Sequence, residues 1–312
     1  MTSPPASSLD GLTVLERGWL SSNNVLLHGA PGQGATLVDS GHCTHAAQTV
    51  ALVQRSLAGE PLERIVNTHL HSDHCGGNAA LQAAFPGLPA DVPAGEFDAA
   101  RRWDEDALSY RATRQRCERF AVRGRIEAGT SLRVGARRWE VVAAPGHDPQ
   151  ALMLFDAAHG VLISADALWE NGFGVVFPEL DGESAFDDVA AVLDAIARLP
   201  VALVIPGHGA PFTDVSGALA RARSRLASWR AAPDKHARHA ARVLLKYHLM
   251  EEREQSLADL QAWAAAAPLL QRLHERIGRA EAAGPGAWGL RLAGELVAAG
   301  ALRADGERIH DA

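Results

Sequence analysis

The chain has 312 residues, of which 47% are hydrophobic and 21% charged, and its formal net charge is −7. This composition is that of an ordinary globular protein, so it excludes a disordered chain, a collagen and a fibre. The length corresponds to about two domains of typical size.

Several features of the sequence indicate the cellular compartment of the protein. The sequence has no apolar run long enough for a transmembrane helix. Its N-terminus lacks the basic and apolar regions of a secretory signal. The three cysteines, Cys43, Cys75 and Cys117, are too few for a disulfide framework. We therefore expect a cytoplasmic protein with no membrane association.

Short apolar runs bounded by turn residues fill the chain up to about residue 210. They predict β-strands over 12–17, 24–28, 36–39, 63–68, 139–143, 151–155, 161–164 and 201–205. Apolar residues spaced three and four apart predict helices over 44–58 and 184–198. The charged segment 94–120 predicts a helical, exposed insertion. Strands interleaved with helices indicate an α/β layered domain.

Strand signals stop after Phe212. Five helices follow in the prediction, over 216–231, 235–250, 256–266, 268–282 and 287–300, with a short hairpin around Asp305 and Gly306. This change of pattern predicts a domain boundary, with residues 1–214 as the α/β domain and 215–312 as a helical domain.

The segment IVNTHLHSDHCGGN concentrates the chemistry of the chain. Three imidazoles and a carboxylate, those of His69, His71, Asp73 and His74, directly follow a predicted strand. Imidazole and carboxylate are natural ligands of divalent cations such as Zn²⁺. Four ligands this close in sequence cannot all reach one ion, so His69 and His71 suit one metal, and Asp73 and His74 suit a second. The glycines that follow allow a tight bend. A histidine-rich surface loop is the alternative.

Three further candidate ligands also follow predicted strands. His147 and His208 each come after a Pro-Gly turn, in VVAAPGHDP and LVIPGHGAPF, and Asp166 follows the run VLISA. A single histidine after a strand is more often structural. Three such residues in this order behind the histidine cluster are not independent coincidences.

This motif set is similar to that of the metallo-β-lactamase superfamily of hydrolases, over residues 10–214. The resemblance implies a four-layer αββα sandwich with a binuclear metal site at one edge, between the sheets. It places His69, His71 and His147 on the first metal and Asp73, His74 and His208 on the second, with Asp166 bridging both. It also implies that Asp39 supports the histidine loop without binding metal, although Asp39 could be only a turn residue.

By the same resemblance, a hydroxide bridging two divalent metals attacks the substrate, and Asp73 orients it. Zinc is the expected metal, with iron or manganese as alternatives. The expected substrate is a small ester, thioester or lactone, with a glyoxalase II-type thioester as the specific version. True β-lactamases have a cysteine where Asp166 lies, which argues against β-lactam hydrolysis. Trp169, Phe173 and Phe177 are candidate pocket residues, with core packing as the alternative.

The C-terminal part leaves a second function open. Its arrangement of elements resembles the winged-helix-like tail of the lactamase-like endoribonucleases and related hydrolases, which makes a nuclease or phosphodiesterase the alternative. Residues 219–246 carry eight basic side chains and one acidic one, which could meet an anionic ligand or form a solvated helix face. Residues 1–210 carry a net charge of −10, which disfavours a polyanion near the site. Homodimerisation is left open.

Overall fold

The computed structural model describes residues 9–312. Two compact units make up the chain. The first comprises the residues up to Leu108 together with Arg116–Ala227, and the second comprises Ser109–Gln115 and Ser228–Ala312. A division into independently folding domains at residue 214 remains a prediction.

Two β-sheets form the centre of the first unit. The first sheet has the order β1-β2-β3-β4-β5-β6, and the second has the order β11-β10-β9-β8-β7. The strands of the first sheet are Leu12–Leu15 (β1), Asn24–Leu27 (β2), Ala35–Val38 (β3), Leu62–Val66 (β4), Ala90–Pro93 (β5) and Val122–Ile126 (β6). Those of the second are Ser131–Val134 (β7), Arg137–Ala143 (β8), Leu152–Asp156 (β9), Val161–Ala165 (β10) and Leu203–Pro206 (β11).

Strand direction matters for the site. Strands β3, β4, β5 and β6 run parallel to one another, and so do β10 and β11, while the other neighbours are antiparallel. Apolar side chains of both sheets form one buried cluster, with Val38 and Val66 from the first sheet and Trp139, Ile163 and Ile205 from the second. The sheets therefore pack face to face around a shared core.

Helices complete the architecture. They are Ala46–Leu57 (α1), Ser72–Cys75 (α2), Asn78–Ala84 (α3), Phe97–Arg102 (α4), Tyr110–Thr113 (α5), Phe177–Leu180 (α6), Phe186–Arg198 (α7), Val215–Ala231 (α8), Pro233–Glu252 (α9), Leu257–Ala266 (α10), Pro268–Leu273 (α11) and Pro285–Ala298 (α12). The apolar spacing in α7 buries Val189, Val192 and Ile196 on one face. The predicted four-layer αββα sandwich is confirmed. Among the described residues, no helix is long and apolar enough to cross a membrane.

The second unit combines helices with a small sheet of order β12-β14-β13, whose strands are Glu254–Ser256 (β12), Leu302–Asp305 (β13) and Arg308–Asp311 (β14). Helices α10 and α12 pack so closely that a Cβ atom at Gly289 would lie 2.5 Å from the Cβ of Ala264. The absence of a side chain at Gly289 allows this contact. A short strand between two helices that pairs with a C-terminal hairpin is typical of a winged helix. The predicted helical, winged-helix-like extension and its terminal hairpin are confirmed.

The segment 94–120 is exposed over much of its length, as expected, but it is only partly helical. Only the short helices α4 and α5 form there, and the left-handed backbone of Trp103 (φ 62°) and Ser109 (φ 64°) interrupts the helical path. Tyr110 and Thr113 are buried. The many charged residues of this segment indicated an exposed surface, but several of its apolar residues are buried in the protein.

The sequence analysis also missed four strands, β5, β6, β7 and β12. ADVP contains a proline, VRGRI contains a glycine and two arginines, and SLRV and EQS are short runs that each contain a charged residue and at most one β-branched residue. Pairing with neighbouring strands outweighs these weak local preferences.

We predict that Arg137→Ala destabilises the first unit by about 3 kcal/mol. Arg137 is buried, its Nη1 lies 3.0 Å from Asp156 Oδ2, and its Nε donates to the carbonyl oxygen of Asp10. Removing the guanidinium takes the arginine partner from the buried Asp156 carboxylate and leaves it with His159 Nδ1, at 2.7 Å, and backbone N–H groups. Urea unfolding measures the loss. Arg138→Ala, an exposed arginine on the same strand, is the control and should change the free energy of unfolding by less than about 0.5 kcal/mol. Equal effects of the two substitutions would contradict the prediction.

Candidate metal centre

The predicted ligands lie where strands of both sheets end. His69 and His71 follow β4, and Asp39 follows the adjacent parallel strand β3. In the second sheet, Asp166 and His208 follow the parallel pair β10 and β11. Because parallel strands end at the same edge of a sheet, their C-terminal loops meet. His147 enters the same region from the loop after β8.

One group consists of three buried histidines. His69 Nε2 lies 3.1 Å from His71 Nδ1, which in turn lies 2.8 Å from His147 Nε2. The rings of His69 and His71 are each nearly perpendicular to the ring of His147. One nitrogen from each ring lies within 4.8 Å of the others, so the three atoms surround a common point.

The second group consists of Asp73, His74, Asp166 and His208, whose ligand atoms also lie within 4.8 Å of one another. Asp73 Oδ2 lies 3.0 Å from His208 Nε2. Asp166 faces both groups with different oxygens. Its Oδ1 lies 3.3 Å from His74 Nε2, and its Oδ2 lies 3.3 Å from His147 Nε2 in the first group.

Outer hydrogen bonds fix the histidine tautomers. His74 Nδ1 donates to Asp39 Oδ2 at 2.8 Å, and His147 Nδ1 donates to the carbonyl oxygen of Val175 at 2.5 Å. When each ring is neutral, its Nε2 atom carries a lone pair that points into the centre. His74 Nε2 is buried and makes no hydrogen bond to any described residue. A buried nitrogen of this kind, facing carboxylates and other ring nitrogens, fits a bound cation.

Asp39 lies behind the centre. Its carboxylate accepts hydrogen bonds from the backbone N–H of Thr68 at 2.9 Å and from the Thr68 hydroxyl at 2.8 Å, besides the one from His74. Its backbone is left-handed, with φ 57°. Because Asp residues adopt this conformation at some energetic cost, the contacts to the histidine loop must hold it there.

The first group is arranged to stay neutral. Burial, together with the neighbouring His147, lowers the pKa of His71 to about 3. Burial also lowers the pKa of His69 well below its usual value. Neutral imidazole is the form that binds a metal ion, so these two rings need not release a proton to bind one.

The second group carries opposite charges. Burial alone would lower the pKa of His74, but the carboxylates of Asp39, Asp166 and Asp73 outweigh burial and raise it well above its usual value. Burial raises the pKa of Asp166, but His74 and the other nearby histidines hold it well below its usual value. The carboxylates therefore favour a positive charge at His74. A bound cation can provide that charge in place of the His74 proton.

Several glycines near the centre matter because they lack a side chain, and not because they adopt unusual backbone angles. Gly76 and Gly77, which we expected to allow a tight bend, have ordinary helical φ angles of −63° and −82°. A Cβ atom on Gly77 would instead lie 2.3 Å from the carbonyl oxygen of Ser40. Similarly, a Cβ atom on Gly207 would lie 2.2 Å from Asp166 Oδ1. These glycines allow neighbouring segments to approach the ligands.

The candidate pocket residues have different positions. The ring of Trp169 lies 5.4 Å from that of His208, and its Nε1 lies 3.3 Å from Asp166 Oδ1. The ring of Phe177 lies 5.0 Å from that of His71. Phe173 is fully buried, and it lines a small, partly open cavity together with His147 and Asp166.

Sequence reasoning missed Trp19 and Asp148. Trp19 is 58% exposed, stacks on His208 with ring centres 5.4 Å apart, and lies 5.5 Å from Trp169. A large aromatic residue in the loop between two predicted strands was the available signal. Asp148 Oδ2 lies 3.9 Å from His71 Nε2, on the outer side of that ring. Its position directly after His147 could have suggested this contact.

Comparisons with known proteins identify the family. A family model described as the metallo-beta-lactamase superfamily matches residues 17–208. A hydroxyacylglutathione hydrolase of Stenotrophomonas maltophilia (strain R551-3) is 29% identical over 171 residues, which are 55% of this chain and 54% of that protein. The chain spans about half the length of the first curated relatives that it matches.

Solved structures show the same fold. A beta-lactamase domain protein from Burkholderia ambifaria superposes with a TM-score of 0.57 at 25% identity, covering 99% of this chain and 96% of its own. A second structure, described as a di-iron-bound form, has a TM-score of 0.52 at 26% identity and covers 66% of this chain and 96% of its own.

We predict that Asp39→Ala lowers the affinity for metal by about 10- to 100-fold, because His74 loses the partner that orients it. Competition of the purified protein with a chromophoric chelator measures the affinity. Asp181→Ala, which removes an exposed carboxylate, is the control and should leave the chelator midpoint unchanged. Unchanged metal affinity in a folded Asp39→Ala variant would show that Asp39 does not support the histidine loop.

Proposed function

The chain belongs to the metallo-beta-lactamase superfamily, and on that basis we propose that it is a binuclear metal-dependent hydrolase of a small ester, thioester or lactone. The observation that carries the proposal is the position of Asp166, whose two oxygens face two separate groups of buried donor atoms. One carboxylate between two such groups suits a pair of cations better than a single ion.

In this proposal, His69, His71 and His147 would hold the first cation and Asp73, His74 and His208 the second. Asp166 would be shared by the two groups. Mixed imidazole and carboxylate donors suit zinc, and also iron or manganese. A relative in a di-iron-bound form supports two metals without selecting zinc.

The side chains have distinct roles in the proposed hydrolysis. When bound, two divalent cations would supply Lewis acidity for a carbonyl oxygen and would lower the pKa of a bound water molecule. Asp73 has a side chain 12% exposed, the most accessible of the three central carboxylates, so it can accept a hydrogen bond from the attacking water and orient it. Cys75 lies with its Sγ toward the carbonyl oxygens of Leu70 and His71, and the proposed hydrolysis does not need it as a nucleophile.

The positions of several aromatic side chains support the proposal of a small acyl substrate. Trp19 and Trp169 lie against His208 in the second group, and Phe177 lies against His71 in the first. Apolar faces beside polarising ligands suit an acyl compound with an apolar portion. The name of the hydroxyacylglutathione hydrolase relatives supports a thioester as the specific version.

The basic residues of 219–246 give little support to the alternative nuclease function. Most of them contact carboxylates within their own unit: Arg221 with Asp214, Arg223 with Asp194, Arg238 with Glu281 and Glu295, Arg242 with Glu295, and Lys246 with Asp311. A polyanion would have to displace these ion pairs to gain its own contacts.

We predict that the protein purified without added metal contains about two metal ions per chain and hydrolyses a thioester reporter. Asp166→Ala should retain one metal ion or none and lose at least about 100-fold in kcat/KM, because the shared ligand is gone. Elemental analysis and a thioester assay on the same samples measure both. Turnover of a bis-phosphodiester reporter alone would favour the nuclease. Full metal content and activity in Asp166→Ala would refute the proposed site.

We also predict that Trp19→Ala raises the KM for an aryl thioester by up to about tenfold, with kcat changed less than about twofold. The indole provides apolar contact that substrate and transition state share, and such a contact is worth about 1 kcal/mol. Steady-state kinetics measures both constants. Trp103→Ala, which removes an indole packed on Phe120, is the matched control. An unchanged KM in Trp19→Ala would exclude Trp19 from the substrate site.

A further inference from the structure

The three cysteines of the chain lie in one region of the first unit, although they are far apart in sequence. Cys75 Sγ lies 3.7 Å from Cys117 Sγ. Cys43 Sγ lies 3.3 Å from the carbonyl oxygen of Arg116, the residue before Cys117. None of the three is in a disulfide. The proposed hydrolysis uses none of them.

The two neighbouring sulfurs differ in accessibility. Cys75 is fully buried in the short helix α2, directly after His74. Cys117 is half-buried in the irregular segment before β6. A small oxidant from solvent therefore reaches Cys117 first and leaves Cys75 as the neighbouring thiol that can react next.

We propose that Cys75 and Cys117 form a reversible disulfide when the protein meets a hydroperoxide. The Cys117 thiol attacks the peroxide and becomes a sulfenic acid, and the peroxide is reduced to water or an alcohol. The Cys75 sulfur then attacks the sulfenic sulfur, an S–S bond forms, and the hydroxyl group leaves as water. A dithiol supplies the two electrons and two protons that reverse the reaction.

The bond requires only a small movement. A disulfide joins its sulfurs at about 2.05 Å, so the two atoms must approach by somewhat less than 2 Å. Cys75 is held within α2, between His71 and Gly76. Residues 115–121 have no helix or strand that would resist the shift. The segment carrying Cys117 therefore supplies most of the movement.

Oxidation changes contacts inside the ligand loop. The Cys75 thiol lies 3.5 Å from the carbonyl oxygen of Leu70 and 3.4 Å from that of His71, and it donates a weak hydrogen bond there. A disulfide has no S–H group and cannot make these contacts. Because α2 also carries Asp73 and His74, we expect oxidation to lower the hydrolytic rate several-fold. This consequence rests on the proposed function, whereas the bond itself does not.

Peptide mapping tests the bond directly. The holoprotein is treated with hydrogen peroxide, alkylated without reduction and digested with trypsin. Cleavage after Arg64, Arg101, Arg116 and Arg119 releases Cys75 in the peptide 65–101 and Cys117 in the tripeptide 117–119. Cys43 lies in a separate peptide, 18–55. We expect 65–101 joined to 117–119, and we expect the link to disappear with dithiothreitol. No link, or a dominant link between 18–55 and 117–119, would overturn the proposal.

Activity assays test whether formation of the disulfide lowers the hydrolytic rate. Peroxide should lower kcat/KM several-fold in the wild-type protein and in Cys43→Ser, and dithiothreitol should restore it. Cys117→Ser should keep its activity through the same treatment. An equal loss in Cys117→Ser, or no loss where the linked peptide has formed, would overturn the link between the disulfide and the site. Absence of activity before any oxidation would refute the proposed hydrolase and leave the mapping result standing.

Discussion

The convergence of buried imidazole and carboxylate groups at one point is the constraint on which the first unit depends. Buried groups of this kind are stable only when each has a partner, because burial of an unpaired charge or lone pair is strongly unfavourable. Here the partners form a chain from the centre outward. Asp166 faces His74, His74 donates to Asp39, and Asp39 accepts from the backbone and hydroxyl of Thr68. Each buried group in this series thus has a hydrogen-bond or ionic partner, and the series ends at the backbone N–H and hydroxyl of Thr68.

Backbone strain lies at the same points. Asp39 and Ala165 both have left-handed φ angles, 57° and 47°, and each lies at the end of a strand that leads to the centre. The ladder between β10 and β11 is also irregular near Ala165. Such conformations persist only where the surrounding structure holds them. The packed sheets beneath them provide that support through a core of large apolar side chains.

The sequence was informative where local pattern and chemistry coincided. The run from His69 to His74 and the later His147, Asp166 and His208 could be found because each follows an apolar strand, and the structure brings them together. Strands such as β6, with the sequence VRGRI, could not be found because pairing with a neighbour decides them. The contacts of Trp19 with His208 and of Cys75 with Cys117 depend on tertiary packing, which no spacing along the chain encodes.

The donor atoms are divided between the two sheets, and this division has a thermodynamic consequence. His69 and His71 follow a strand of the first sheet, whereas Asp166 and His208 follow strands of the second. The donors come together only when the sheets have docked, so a cation that binds them binds the native state and not the unfolded one. Its binding free energy is then added to the free energy of unfolding, in proportion to the logarithm of its concentration above the dissociation constant. The availability of metal would thus set the stability of this fold as well as its activity.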